Sequence, residues 1–120
     1  AMRAGIETLK ILRESDTTYE TNEKKAEKLA AVMRERFGET VCVNQVGSLM
    51  SLFFTGEKVV DYDTVQTSDT NRYSAYFKAM LKEGIYLAPS QFEAMFVSAA
   101  HTDKDIEKTC EQIRKFANQK

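Results

Sequence analysis

The sequence predicts an α+β domain, a small, mostly antiparallel sheet covered by helices. Apolar residues recur at helical spacing in separate segments along the chain. Two runs rich in Val, Leu and Phe, residues 41–46 and 49–55, are separated only by Gly47-Ser48, which predicts a tight reversal. Two more short apolar runs precede the last helical segment. The resulting order is α-α-β-β-α-β-β-α, and packing helices on one sheet buries these faces together.

The first helix is expected over residues 2–14, with Met2, Ile6, Leu9 and Leu12 on one face. No Ser, Thr, Asp or Asn caps its start, so the chain is expected to be cut from a longer one. The polar break 15–18 leads to a second helix over 19–36, striped by Ala26, Leu29, Ala30, Met33 and Phe37 and stopped at Gly38. In residues 49–54 apolar side chains occupy both faces, which predicts a central strand. Residues 56–66 read as a polar loop. Thr67 or Ser68 is expected to cap a third helix, with Asp69 in its first turn. Its inner face is Tyr73, Tyr76, Phe77, Met80 and Leu81, and Gly84 ends it. Short strands are expected at 85–87 and 95–98, around Pro89-Ser90-Gln91-Phe92-Glu93. Thr102 then caps a last helix with Ile106, Cys110, Ile113 and Phe116 buried, and the chain ends in polar Asn118, Gln119 and Lys120.

At 120 residues and 42% hydrophobic, the chain suits one domain spanning 1–120. Its 17 basic and 18 acidic residues give a net charge of -1, which points to neither nucleic acid nor an anionic membrane surface. No apolar run is long enough to span a bilayer, and no signal peptide is visible, so a cytoplasmic protein is expected. Cys42 and Cys110 lack metal-ligand spacing and read as buried, reduced thiols. His101 is the only histidine; it has no ligand or nucleophile partner and reads as structural or solvent-facing, so no metal site is expected. The glycines form no phosphate-binding motif. Tyr73, Tyr76 and Phe77 have the spacing of core packing, not of a base-stacking platform. Glu93 stands out as a carboxylate between apolar or small neighbours in the segment Gly84 to Thr102. On spacing alone a solvated glutamate is the ordinary reading. Across a cleft it would act strongly on a nearby cation or ammonium.

The stretches AMRAGIETLKIL, VNQVGSLMSLFFT, VVDYDTVQTSDTNRY and, most strongly, GIYLAPSQFEAMFVSAAHTDKDI occur in an order that resembles the glutamate-1-semialdehyde 2,1-aminomutases. These are class III pyridoxal-phosphate aminotransferase-like enzymes of the aspartate-aminotransferase fold (fold type I). Met95 and Ala99-Ala100 are the main departures. The resemblance implies that the chain is that fold's small C-terminal domain, with residues 1–14 the end of a connecting helix. It implies an isomerase converting glutamate-1-semialdehyde to 5-aminolevulinate for tetrapyrrole (porphyrin) synthesis.

The family uses pyridoxal 5'-phosphate and pyridoxamine 5'-phosphate, passes through diaminovalerate and works as a homodimer. Its cofactor-binding lysine lies upstream, in a large domain absent from this chain. The resemblance therefore implies an inactive fragment with no tightly bound cofactor. Glu93 matches the family's functional glutamate, assigned here to catalysis and substrate binding; Ser90 and Gln91 are assigned to substrate binding with it and are expected to shape its loop. Where related aminotransferases place a carboxylate-gripping arginine, this acid would repel a second substrate carboxylate. The alternatives are the small domain of another class III aminotransferase and a free-standing α+β binding module.

Overall fold

The computed structural model describes residues 1–119; Lys120, expected in the polar tail, lies outside them. Along the chain run α1 (Met2–Glu14), α2 (Thr18–Phe37), a 3-10 turn (Gly38–Thr40), β1 (Cys42–Val46), β2 (Leu49–Phe53), α3 (Tyr62–Val65), α4 (Thr70–Lys82), β3 (Met95–Phe96) and α5 (Asp103–Ala117). The sheet order is β1-β2-β3, antiparallel throughout. β2 is the central strand its two-sided apolar pattern predicts. Val46 pairs with Leu49 across Gly47-Ser48. Gly47 has φ +56° and Ser48 a negative φ, the signs of a type II′ hairpin turn.

α2 buries Ala26, Leu29, Ala30, Met33 and Phe37 as its stripe predicts, and packs on α5 through Ile106, Cys110 and Ile113. Tyr76 of α4 is fully buried. Its ring lies 5.2 Å from Phe116, 5.7 Å from Phe54 and 6.1 Å from Phe37, centroid to centroid, mostly edge-on. One residue thus ties α2, β2, α4 and α5 together in the geometry aromatic rings prefer. α1 differs: none of its residues is buried, and Met2, Ile6 and Leu9 are exposed.

α5 starts on a reciprocal box. Asp105 N–H donates to Thr102 Oγ1 (3.2 Å), and Asp105 Oδ2 accepts from Thr102 N–H (2.8 Å). α4 ends on Gly84 at φ +79°. Gly84 N–H donates to Leu81 O (2.9 Å) and Ile85 N–H to Met80 O (2.9 Å), the two bonds of a Schellman motif.

Several expectations are corrected. Residues 85–87 form no strand; they alternate in burial but pair with no neighbour, and the next carbonyl, of Ala88, is taken by the Tyr73 hydroxyl at 2.6 Å. β3 stops at Phe96 instead of residue 98. Val97 N–H still reaches Ser48 O (3.1 Å), but Ser98 N–H turns to the His101 ring (Nδ1, 3.0 Å). α4 is capped by Asp69, whose side chain accepts from Arg72 N–H, and not by Thr67 or Ser68; the Thr67 hydroxyl is engaged with Thr64 and Thr55. The expected loop at 56–66 contains the short α3, nucleated by a capping box between Asp61 and Thr64. Leu81 is exposed and Phe77, Phe116 and Cys42 are only partly buried, whereas Cys110 is buried as expected; both thiols are free.

Two predictions follow from this packing. The Tyr76 hydroxyl is buried without a hydrogen-bond partner, and burial raises its ionisation far above the ordinary phenol range. Tyr76→Phe removes an unsatisfied polar group and keeps the ring. Urea denaturation is expected to show unchanged stability or a gain of up to ~1 kcal/mol; a clear loss would contradict the packing described. The Thr102 hydroxyl, then the Thr102 amide, hold the Asp105 carboxyl below its usual range. A depressed folded-state pKa contributes stability above the unfolded value that is lost as pH falls through the folded value. Stability is therefore expected to fall on acidification below about pH 4. Asp105→Asn should flatten part of that slope in pH-dependent melting.

Candidate functional site

The segment after α4 runs extended into Pro89 and then turns. Phe92 N–H donates to Ser90 Oγ (3.2 Å) and Glu93 N–H to Ser90 O (3.2 Å), so the Ser90 side chain and backbone close a local turn. Gln91 is buried at 3% exposure. Its Oε1 accepts from Phe54 N–H at 3.4 Å, just past the end of β2. Its Nε2 is buried without a partner. Ser90 and Gln91 thus supply the side-chain hydrogen bonds of this loop.

The turn delivers Glu93 to the wall of a cleft of about 430 Å³. Leu29 and Met33 of α2, Met50 of β2, Ile106 of α5, Leu87 and Val97 line it. His101 and Thr109 add polar groups. The Glu93 side chain is exposed, and so are its neighbours Phe92 (57%) and Phe96 (67%). Reduced water around this carboxylate, the condition under which it acts strongly on a cation, is therefore not supplied by this chain alone. Its field is nonetheless felt nearby. Burial raises the pKa of the Tyr73 phenol, and the Glu93 carboxylate pushes it the same way.

The His101 imidazole is exposed and accepts from Ser98 N–H through Nδ1. Its backbone oxygen accepts from Lys25 Nζ at 2.6 Å. His101 takes the Ser98 amide just past β3 and also lines the cleft; a lone histidine carries no sequence signal for that placement. Tyr73 was equally invisible as a loop contact, because helical spacing explains it completely as core. Among the described residues no group of His, Cys, Asp and Glu is placed to hold a metal ion, and no helix is long and apolar enough to cross a membrane.

The cleft also fails as a pyridoxal-phosphate site by its own donor set. The cofactor needs an amine for its aldehyde and positive charge or amide donors for its phosphate. No Lys or Arg lines the cleft; it offers one carboxylate, one imidazole, the Thr109 and Tyr86 hydroxyls and apolar surface. The residues that line this cleft do not by themselves fit the group.

No family model matches the chain. Individual proteins do. It is 54% identical over 112 residues to glutamate-1-semialdehyde 2,1-aminomutase of Chlorobaculum tepidum, covering 91% of the chain and 26% of that protein. It is 48% identical over 112 residues to the same enzyme of Natranaerobius thermophilus, with the same coverage. The chain thus spans about a quarter of the length of the curated relatives it matches.

Among solved structures, the FumI protein of Sphingopyxis sp. MTA144, in its PLP internal aldimine form, superposes with a TM-score of 0.71 at 30% identity. That match covers 97% of this chain and 26% of that one. A glutamate-1-semialdehyde-aminomutase from Pseudomonas aeruginosa PAO1 gives a TM-score of 0.74 at 16% identity, over 85% of this chain and 23% of that one; this likeness bears on the fold. The α+β architecture is that of aminotransferase-fold enzymes. By sequence, the chain matches a segment about a quarter of the length of glutamate-1-semialdehyde 2,1-aminomutases, at about half identity over nine-tenths of the chain.

Proposed function

We propose that this chain is the C-terminal small domain of a cytoplasmic, homodimeric glutamate-1-semialdehyde 2,1-aminomutase, and that it forms the wall of the active site opposite the pyridoxal phosphate. The identity of about half across nine-tenths of the chain supports this reading. The surface supports it too. Met2, Ile6 and Leu9 project from α1 without a partner, and Val46, Leu49 and Phe96 form one exposed row across the sheet. These are faces that a large domain can cover. The full protein converts glutamate-1-semialdehyde to 5-aminolevulinate for tetrapyrrole synthesis. The cofactor, held by the large domain, supplies the electron sink.

Glu93 carries this domain's share of the chemistry. Opposite the large domain its carboxylate loses the water that surrounds it here, and its field strengthens. It then attracts the amino groups of substrate and intermediate and repels a second carboxylate, which separates this activity from transamination of dicarboxylic acids. Ser90 and Gln91 bind substrate only through the loop they shape. The 30% identity to FumI, over nearly the whole chain, keeps a different class III enzyme as the second reading. A measured product decides between the two.

Two outcomes test the reading. In the full-length protein, Glu93→Gln is expected to lower 5-aminolevulinate formation, or divert it towards released diaminovalerate, by about tenfold or more, the scale of one charged hydrogen-bonding group. The melting temperature should hold. Unchanged kinetics would remove Glu93 from the site. The 120-residue chain alone, titrated with pyridoxal phosphate, is expected to show no saturable one-to-one absorbance change; a stoichiometric band would overturn the division of labour.

A further inference from the structure

The hydrogen bonds around the Glu93 loop close into a circuit. Phe54, just past β2, accepts Asp69 N–H at its carbonyl (2.9 Å) and donates its own N–H to Gln91 Oε1 (3.4 Å). Asp69 caps α4, and its carbonyl accepts Tyr73 N–H (3.1 Å). One turn into the helix, the Tyr73 hydroxyl donates to Ala88 O at 2.6 Å. The loop is thus gripped at Ala88 and at Gln91, on either side of Pro89-Ser90, by groups from one rigid corner. Both gripping residues are buried, Tyr73 at 4% exposure and Gln91 at 3%, and the Tyr73 bond itself is partly buried. The Tyr73 ring also packs on Phe54, with centroids 6.4 Å apart.

From this circuit we infer that Tyr73 is a positioning residue for Glu93. This rests on the reading of Glu93 given above and adds a residue that packing alone would explain. The logic is geometric. Glu93 lies two residues beyond the Gln91 anchor and is joined to Ser90 by its own amide, so few backbone dihedrals separate it from the clamped segment. The Gln91 bond is long and one-sided, since Nε2 has no partner. The short Tyr73 bond is the stronger of the two grips. Pro89 cannot donate a hydrogen bond, which leaves the Ala88 carbonyl as the attachment point at that end. The raised Tyr73 phenol keeps its proton at neutral pH and remains a donor. Without the hydroxyl, the ring stays in the core but the Ala88 end of the loop is released, and the carboxylate samples positions away from the substrate amine.

The experiment uses the full-length protein with Tyr73→Phe, Glu93→Gln and the double variant. Tyr73→Phe keeps the ring volume, so the fold is retained. In hydrogen–deuterium exchange, the amides of residues 90–93 are expected to exchange roughly tenfold faster in Tyr73→Phe, while α5 is unchanged. Unchanged exchange in the loop overturns the clamp. In steady-state kinetics, Tyr73→Phe should shift the same parameter as Glu93→Gln, in the same direction, by roughly three- to tenfold. It should add nothing in the double variant, because a freed loop matters only while the carboxylate is there. Independent, additive losses would assign Tyr73 a role in stability only and overturn the inference. If Glu93→Gln is active and Tyr73→Phe silent, the inference fails and the reading of Glu93 stands. If Glu93→Gln itself is silent, the reading fails and takes the functional part of the inference with it.

Discussion

The Tyr76 ring is the constraint on which the rest of this domain depends. It sits where the last residue of α2, the end of β2 and the inner faces of α4 and α5 converge, and it meets Phe37, Phe54 and Phe116 edge-on and Tyr73 at a tilt. Such contacts combine large buried area with a preferred orientation. They fix the relative placement of three helices and a strand, not merely their proximity. Its hydroxyl finds no partner, so the position is held by shape, against a polar cost. Arg72 closes the outer side of the cluster, its guanidinium 4.8 Å above the Phe54 ring.

From that corner the structure builds outward to Glu93. The Phe54 backbone meets both the cap of α4 and the Gln91 side chain, while Tyr73 reaches Ala88 from the first turns of α4. The carboxylate is therefore carried by a loop with little regular structure but with buried attachments. A side chain on an exposed loop acquires a reproducible position only in this way. The cleft it borders is largely apolar, and no Lys or Arg lines it.

The polar periphery is organised by local boxes instead of long-range ion pairs. Asp61 with Thr64 and Thr102 with Asp105 start helices within a few residues of sequence. The ion pairs, such as Lys28 with Glu107 between α2 and α5, are solvent-exposed and contribute little to stability. Stability resides in the aromatic corner and the α2–α5 seam, and the acid-sensitive part in the capping carboxylates.

Much of the fold was legible in the chain because it is set by local rules. The stripes of α2 and α5, the Gly47-Ser48 reversal, the Gly84 stop and the Thr102 cap depend on residues within a turn or two of one another. The turn at Pro89-Ser90 was legible too, from its Pro-Ser-Gln composition. Other features depend on groups distant in sequence. Residues 85–87 have a strand's alternation yet no strand, because a strand needs a neighbour to pair with, and that is decided by where the chain returns. Asp69, not Thr67 or Ser68, caps α4, and the Thr67 hydroxyl is engaged instead by Thr55 and Thr64. The sequence by itself determined the four long helices, the central strand and the acid in its turn. Only the tertiary structure decided that Tyr73 holds that turn across fifteen residues and that Glu93 stands exposed at a cleft, because hydrogen bonds between distant segments and solvent access exist only once the chain has packed.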